Sequence, residues 1–153
     1  MEWRIATLGF DETVFMTGFR GYVSSRSLLG QRAPQRVQNL VIRDYCERNE
    51  LMYLLSAVEY VMDDCYAMLE KLLMELPNLE GLVFYSLFQL PPEPEKRILI
   101  YDRVMQEGCS LHFSIESLMV NEADHVLDIE DIWEIQSVMP YAVSIDELAS
   151  SAD

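Results

Sequence analysis

The segment Gly81-Leu82-Val83-Phe84-Tyr85-Ser86-Leu87 decides the fold, because a continuous run of apolar and aromatic residues is typical of a strand buried on both faces. A similar apolar run precedes it at residues 51–57, and another follows it at residues 111–115. Residues 21–25 (GYVSS) predict a shorter first strand that leaves into a loop. The sequence therefore predicts four strands, with the segment at 81–87 as the strongest.

Segments with helical spacing of apolar residues separate these strands, at residues 34–49, 64–76 and 94–107. A fourth helical segment, residues 121–136, follows the last strand. Strands that alternate with helices form parallel sheets with right-handed crossovers. The sequence thus predicts an α/β domain of three layers with a mainly parallel central sheet.

The length of 153 residues suits one domain with one core. Within residues 1–153 we expect an N-terminal strand or arm over 1–19 and an α/β core over 20–118. A C-terminal helix over 119–140 and an acidic tail over 141–153 complete the prediction.

The formal net charge is -15, and it is unevenly distributed. Residues 1–50 hold seven basic and six acidic groups, whereas residues 51–153 hold four basic and twenty acidic groups. A strongly acidic surface repels nucleic acid and anionic lipid, so neither is an expected partner. The charge either keeps the protein soluble or attracts a cationic partner.

The sequence also indicates in which cellular compartment the protein acts. No stretch reaches the roughly 18 apolar residues that a membrane span needs, and the N-terminal sequence lacks the pattern of a signal peptide. The three cysteines, Cys46, Cys65 and Cys109, are far apart and odd in number, which argues against a disulfide framework or a metal site. We expect a cytoplasmic protein with no metal, no cofactor and no membrane partner.

Several of these segments resemble the catalytic domain of resolvase/invertase serine recombinases. Gly21-Tyr22 followed by serines resembles that family's first strand, and residues 36–46 (RVQNLVIRDYC) resemble its first helix. Residues 81–89 (GLVFYSLFQ) resemble its third strand, and residues 101–116 resemble the helix and strand that follow. The resemblance implies a resolvase-like fold over about residues 20–118.

The catalytic residues of that family are missing. In the recombinases an arginine precedes the nucleophilic serine, whereas here Arg26 follows Ser24 and Ser25. The segment after the third strand, which carries aspartate and arginine in the family, is here the uncharged stretch 88–92 (FQLPP). Phosphoryl transfer depends on preorganised cations, so DNA strand exchange is not expected.

A more specific resemblance is to a family named sporadic carbohydrate cluster proteins. It rests on residues 21–26 (GYVSSR), residues 34–46 (PQRVQNLVIRDYC) and residues 83–91 (VFYSLFQLP). The resemblance implies genes near surface-carbohydrate or other biosynthetic clusters, and no established chemistry.

The first candidate site is the loop after the first strand and the start of the following helix. Ligands of parallel sheets bind at the carboxyl ends of the strands, helix N-termini favour anions, and arginine binds carboxylate or phosphate bidentately. The candidate ligand-binding residues here are Ser24, Ser25, Arg26, Arg32, Gln35 and Arg36. The alternative is that these arginines pair with the abundant carboxylates.

The second candidate is the apolar loop over residues 88–92, in which Phe88 and Gln89 are the candidate ligand-binding residues. This loop either lines a groove for apolar side chains or folds over the core. No catalytic residue is assigned. His112 and His125 are isolated in the sequence, and adjacent carboxylates such as Asp63 and Asp64 point to different faces of a helix.

The leading functional hypothesis is a non-catalytic accessory protein of a biosynthetic gene cluster that binds a peptide or partner protein of basic character for a pathway enzyme. The alternative is an enzyme of surface-carbohydrate or nucleotide-sugar metabolism that uses the arginine/serine loop to hold phosphate. An open sheet edge, and Ile132 and Trp133 beside the core stripe of the last helix, further predict a homodimer or a bound partner.

Overall fold

The computed structural model describes residues 5–8, 13–60 and 65–139 of the chain. Strands β1 (Ile5–Leu8) and β2 (Thr13–Met16) pair as an antiparallel hairpin, so the predicted N-terminal arm contains a two-stranded sheet of its own. The predicted acidic tail over 141–153 lies outside the described residues.

A five-stranded sheet forms the centre of the molecule. Its strands are β3 (Phe19–Ser24), β4 (Tyr53–Glu59), β5 (Gly81–Phe84), β6 (Ser110–Phe113) and β7 (Leu118–Val120). In space they follow the order β4-β3-β5-β6-β7. The first four are mutually parallel, and β7 pairs antiparallel to β6. The prediction of an α/β fold with a mainly parallel sheet is therefore confirmed.

Four helices connect or follow these strands. They are α1 (Gln35–Arg48), α2 (Ala67–Glu75), α3 (Pro94–Gln106) and α4 (Ala123–Val138). Two short 3-10 turns, Leu76–Asn78 and Leu87–Gln89, follow α2 and β5. The helix predicted over 64–76 begins later than expected, at Ala67, and ends at Glu75, where the chain tightens into the 3-10 turn that contains Pro77. Residue 64 lies outside the described residues.

The helices cover both faces of the sheet, which gives the three predicted layers. Alternate residues of a strand point to opposite faces. On β5, Val83 packs with Ile42 and Tyr45 of α1, whereas Leu82 and Phe84 pack in the larger core under α2, α3 and α4. Helix α1 is thus the only one of the four named helices on its face of the sheet.

Helix α4 is joined to α3 by an ion pair in which Arg97 is buried and Glu130 is partly exposed. Arg97 donates from Nε to Glu130 Oε2 (2.8 Å) and from Nη2 to Glu130 Oε1 (2.9 Å), and its Nη1 donates to the carbonyls of Pro91 and Pro92. The guanidinium also lies 4.2 Å from the ring centroid of Trp133. We call this cluster the α3–α4 junction.

The sequence interpretation of α4 was wrong in one respect. Ile132 and Trp133 were expected to add apolar surface for a partner, but both are partly buried against the core, and Trp133 also packs edge-on to Phe88. Other residues of α4 are exposed instead.

Candidate binding crevice

A crevice of about 500 Å³ opens at the carboxyl edge of the sheet. In the sheet, β4 lies on one side of β3 and β5 lies on the other side. The direction of the strand order therefore reverses between β3 and β5, at the edge where the crevice opens. Such reversal points are where parallel α/β sheets bind ligands. The lining residues are Leu28, Leu29, Gln31, Arg32, Ala33, Tyr85, Ser86, Phe88, Ile115 and Glu116.

One wall of the crevice is a tight turn in the β3–α1 loop. Leu28 and Gln31 exchange two backbone hydrogen bonds of 2.7 and 2.9 Å across this turn. Leu29 and Gly30 both have positive φ, 50° and 79°. Glycine adopts this conformation freely, whereas a leucine there is strained and exposed. Strained residues cluster at ligand sites, so this turn marks the loop as a functional candidate.

A buried amide network supports the loop from below. The Gln38 side chain accepts from the Ser24 backbone N–H (3.1 Å) and donates from Nε2 to the carbonyls of Ser24 (2.7 Å) and Ala33 (2.8 Å). The amide of Gln89 donates to Gln38 Oε1 at 2.9 Å and to the Ser24 hydroxyl at 3.4 Å. Ser24 and Gln89 are thus structural partners of Gln38, and neither lines the crevice.

Ser86 and Glu116 form the polar floor of the crevice. The Ser86 hydroxyl donates to Glu116 Oε1 at 2.6 Å and accepts from the backbone N–H of Phe88. Glu116 Oε2 accepts from the backbone N–H of Leu87 at 3.2 Å. This carboxylate therefore orders the 3-10 turn after β5, and the single hydroxyl proton of Ser86 is already donated.

Arg26 lies in a separate cluster of buried polar groups. Its guanidinium donates to the carbonyl of Cys65 (3.1 Å), to the carbonyl of Gln89 (3.4 Å) and to the hydroxyl of Tyr22 (3.0 Å). It also lies 4.2 Å from the ring centroid of Tyr66. The sequence interpretation placed Arg26 among ligand-binding residues, whereas in the structure it binds the protein's own carbonyls and aromatic rings.

Glu59 closes this cluster and was not foreseen from the sequence. It is only 2% exposed, and its carboxylate accepts the hydroxyl of Tyr22 and the backbone N–H groups of Met68 and Leu69. It thereby satisfies the free amides at the start of α2. Burial raises the pKa of Tyr22 well above its ordinary value; Arg26 opposes that shift and Glu59 adds to it. The phenol therefore stays protonated and donates to Glu59.

The remaining predicted residues lie around a second, smaller depression of about 270 Å³ next to the crevice. Ser25, Arg32 and Gln35 line it together with Ala33 and Pro34. Arg32 lines both cavities and makes no hydrogen bond or ion pair with the described residues. Arg36 is exposed in the first turn of α1. Of the predicted set, the structure brings Arg32 and Phe88 to the crevice, and Ser25 and Gln35 beside it.

His112 lies in a different part of the molecule. It is buried on the α1 side of the sheet, with Nδ1 2.8 Å from the hydroxyl of Tyr45 and Nε2 2.8 Å from the hydroxyl of Ser110. Burial lowers its pKa to about 4. His112 is therefore a neutral structural group at neutral pH and cannot serve the crevice as a base.

Among residues 5–8, 13–60 and 65–139, no three His, Cys, Asp or Glu side chains are grouped to hold a metal ion. No helix within that part of the chain is long and apolar enough to cross a membrane. No family model, no curated protein and no solved structure matched the chain.

Proposed function

We propose that the chain is a non-catalytic accessory protein of a biosynthetic gene cluster, acting in the cytoplasm, where its crevice holds a peptide segment for a pathway enzyme. One observation carries the proposal. The Ser86 and Glu116 side chains of the crevice bond to each other, its walls include the apolar side chains of Leu29, Phe88 and Ile115, and Arg32 has no hydrogen-bond or ion-pair partner among the described residues.

The chemistry of the crevice supports binding rather than catalysis. Nucleophilic catalysis needs a hydroxyl or thiol whose proton passes to a base that can release it. The Ser86 proton is directed to Glu116, which also fixes the turn after β5, and Ser24 is buried in the amide network. Neither serine combines exposure with a free base among the described groups, so the site fits a binding role.

The walls and the charge of the molecule favour a polypeptide ligand. Apolar pockets with a few polar groups bind ligands that have an apolar body. Leu29, Phe88 and Ile115 would contact an apolar side chain, and Arg32 would face a carbonyl or carboxylate of the same peptide. The net charge of -15 would steer a peptide with lysine or arginine side chains toward the protein.

The proposal is tested with Ile115→Glu. Ile115 is 52% exposed at the crevice, so the substitution places a charge on the apolar wall without unfolding the domain. A fluorescent peptide selected from a displayed random library by the wild-type chain should bind Ile115→Glu about tenfold more weakly, equivalent to about 1.4 kcal/mol. The matched control is Leu99→Glu on α3, which adds the same charge at a residue outside the crevice.

Equal binding by both variants would show that the selected peptides bind elsewhere, and failure to select any peptide would contradict the peptide proposal.

A second candidate is the phosphate-holding enzyme of nucleotide-sugar metabolism, and one observation favours it. The first turn of α1 has neither a side-chain cap nor an acidic residue, and Ser25, Arg32 and Gln35 surround the depression in front of it. Helix N-termini with free amides bind anions. Calorimetry with a panel of nucleotide sugars tests this candidate: micromolar affinity that is lost in Arg32→Gln, with no peptide response, would favour the enzyme.

A further inference from the structure

Helix α4 presents an apolar face to solvent in addition to the face that packs in the core. Ile129, Ile132 and Trp133 point inward. The large apolar residues on the other side are Leu127, Ile135, Val138 and Met139, which are 64%, 60%, 56% and 57% exposed. Their spacing of three, four and eight residues places them along one side of the helix. We call this side the outward face of α4.

The same face is acidic. Asp124, Asp128 and Asp131 lie among the exposed apolar residues, and none of the three forms an ion pair with the described residues. From residue 104 to residue 139 the chain has eight acidic residues and no lysine or arginine. Within residues 104–139 no lysine or arginine therefore neutralises the outward face, and His125 lies 3.5 Å from Glu122.

We infer that the outward face of α4 docks a cationic amphipathic helix of a partner protein. Such a helix would set its apolar residues on Leu127, Ile135 and Val138, while lysines or arginines on its flanks would pair with the aspartates. Amphipathic helices bind apolar surfaces through residues spaced by three and four, and complementary charge selects the partner. The inference is independent of the crevice and of what the crevice binds.

The negative charge of the outward face argues against the other possible occupants, which are a second copy of the chain and residues 140–153. The outward face of a second copy would bring like charges together. Residues 140–153 of the chain include three acidic residues and no basic one, so their sequence offers no charge complementary to the aspartates. The exposed arginines of α1, which are Arg36, Arg43 and Arg48, lie on the opposite side of the sheet from α4. Their contact with α4 of another copy would be head-to-tail, which leads to open assemblies.

The probe is a labelled helical peptide of leucine and lysine, about 18 residues long so that it can form a stable helix. The full chain should bind it by fluorescence anisotropy, and more weakly as salt is raised. The same peptide with glutamate in place of lysine should not bind. Ile135→Glu should weaken binding about tenfold, although it adds a carboxylate that would strengthen a purely electrostatic attraction.

Leu99→Glu is the matched control, because Leu99 is also an exposed apolar helical residue. It should bind the lysine peptide like the wild-type chain. An equal loss in both variants would overturn the inference. So would a concentration-dependent rise in mass that Ile135→Glu abolishes, which would show that a second copy covers the face. Absence of binding, with a lower melting temperature in Ile135→Glu than in Leu99→Glu, would show that the chain covers the face itself.

Discussion

Arg97 at the α3–α4 junction and Arg32 in the β3–α1 loop are the same chemical group in opposite settings. Arg97 is buried, and its donors are taken by Glu130 and by the carbonyls of Pro91 and Pro92. Arg32 is exposed between two cavities with no partner among the described residues. The difference teaches that an arginine in this chain contributes to stability where its donors are satisfied, and is free for a ligand where they are not.

Removing Arg97 should have the largest effect on this comparison. Arg97→Met leaves the Glu130 carboxylate without its cation and two carbonyls without donors. Breaking a fully buried ion pair costs about 3–5 kcal/mol of unfolding free energy. Because the Glu130 side chain is 23% exposed, we expect a loss at the lower end of that range. Urea denaturation should show this loss, whereas Lys96→Met, which removes an exposed neighbouring cation paired with Glu93 at 3.5 Å, should cost less than about 1 kcal/mol. Equal stability of the two variants would mean that the α3–α4 junction does not stabilise the fold.

The next largest effect is expected from lowering the pH, which should reduce the unfolding free energy through the buried His112. His112 lies under α1, the helix that begins at the β3–α1 loop, and its pKa of about 4 is below the ordinary 6.5. The unfolded chain therefore takes up this proton first as the pH falls. Stability from this group is fully present above pH 6.5 and declines toward pH 4, by at most about 3 kcal/mol.

Carboxylates also titrate in this pH range. The contribution of His112 is therefore measured as the difference in pH-dependent stability between the wild-type chain and His112→Gln. In His112→Gln the side chain keeps a donor and an acceptor for Tyr45 and Ser110 but does not titrate. Its unfolding free energy should fall less between pH 6.5 and 4 than that of the wild-type chain. Identical pH profiles would contradict a buried neutral histidine.

The smallest effect on stability is expected at Arg32. Arg32→Gln should change the unfolding free energy by less than about 0.5 kcal/mol, as for surface residues without partners. The same substitution at Arg26 should cost about 1.5–3 kcal/mol, because it removes charged hydrogen bonds to Tyr22, Cys65 and Gln89. If Arg26→Gln were neutral and Arg32→Gln destabilising, the assignment of these two arginines would be reversed.

Local sequence patterns were sufficient for most of the sheet. The continuous apolar runs at β4 and β5 and the helical spacing between them predict these elements from neighbouring residues alone. Strand β7 was missed because it has only three residues and follows a tight turn in which Ser117 has a φ of 54°. Its pairing with β6 depends on that turn, and no pattern in Leu118–Val120 marks it as a strand.

Residues of the candidate crevice were predictable from the sequence only where their position after a strand was enough to place them there. Arg32 and Phe88 follow the carboxyl ends of strands, so the general location of parallel-sheet sites was enough. Gln38 and Glu59 were missed, because their roles come from partners far away in the chain, Ser24 and Gln89 for one and Tyr22 and Met68 for the other. A polar residue within the apolar pattern of a helix or strand was the available signal in both.

The central claim, that the crevice holds a peptide, is tested most directly by amide chemical-shift mapping on the full chain with the library-selected peptide. We predict that the largest changes fall on the turn at residues 28–32 and on Phe88 and Ile115, with little change at His112 or Arg97. A nucleotide sugar should leave these amides unmoved. Shifts produced by a nucleotide sugar at Ser25, Arg32 and Gln35, with none from the peptide at the crevice, would contradict the account.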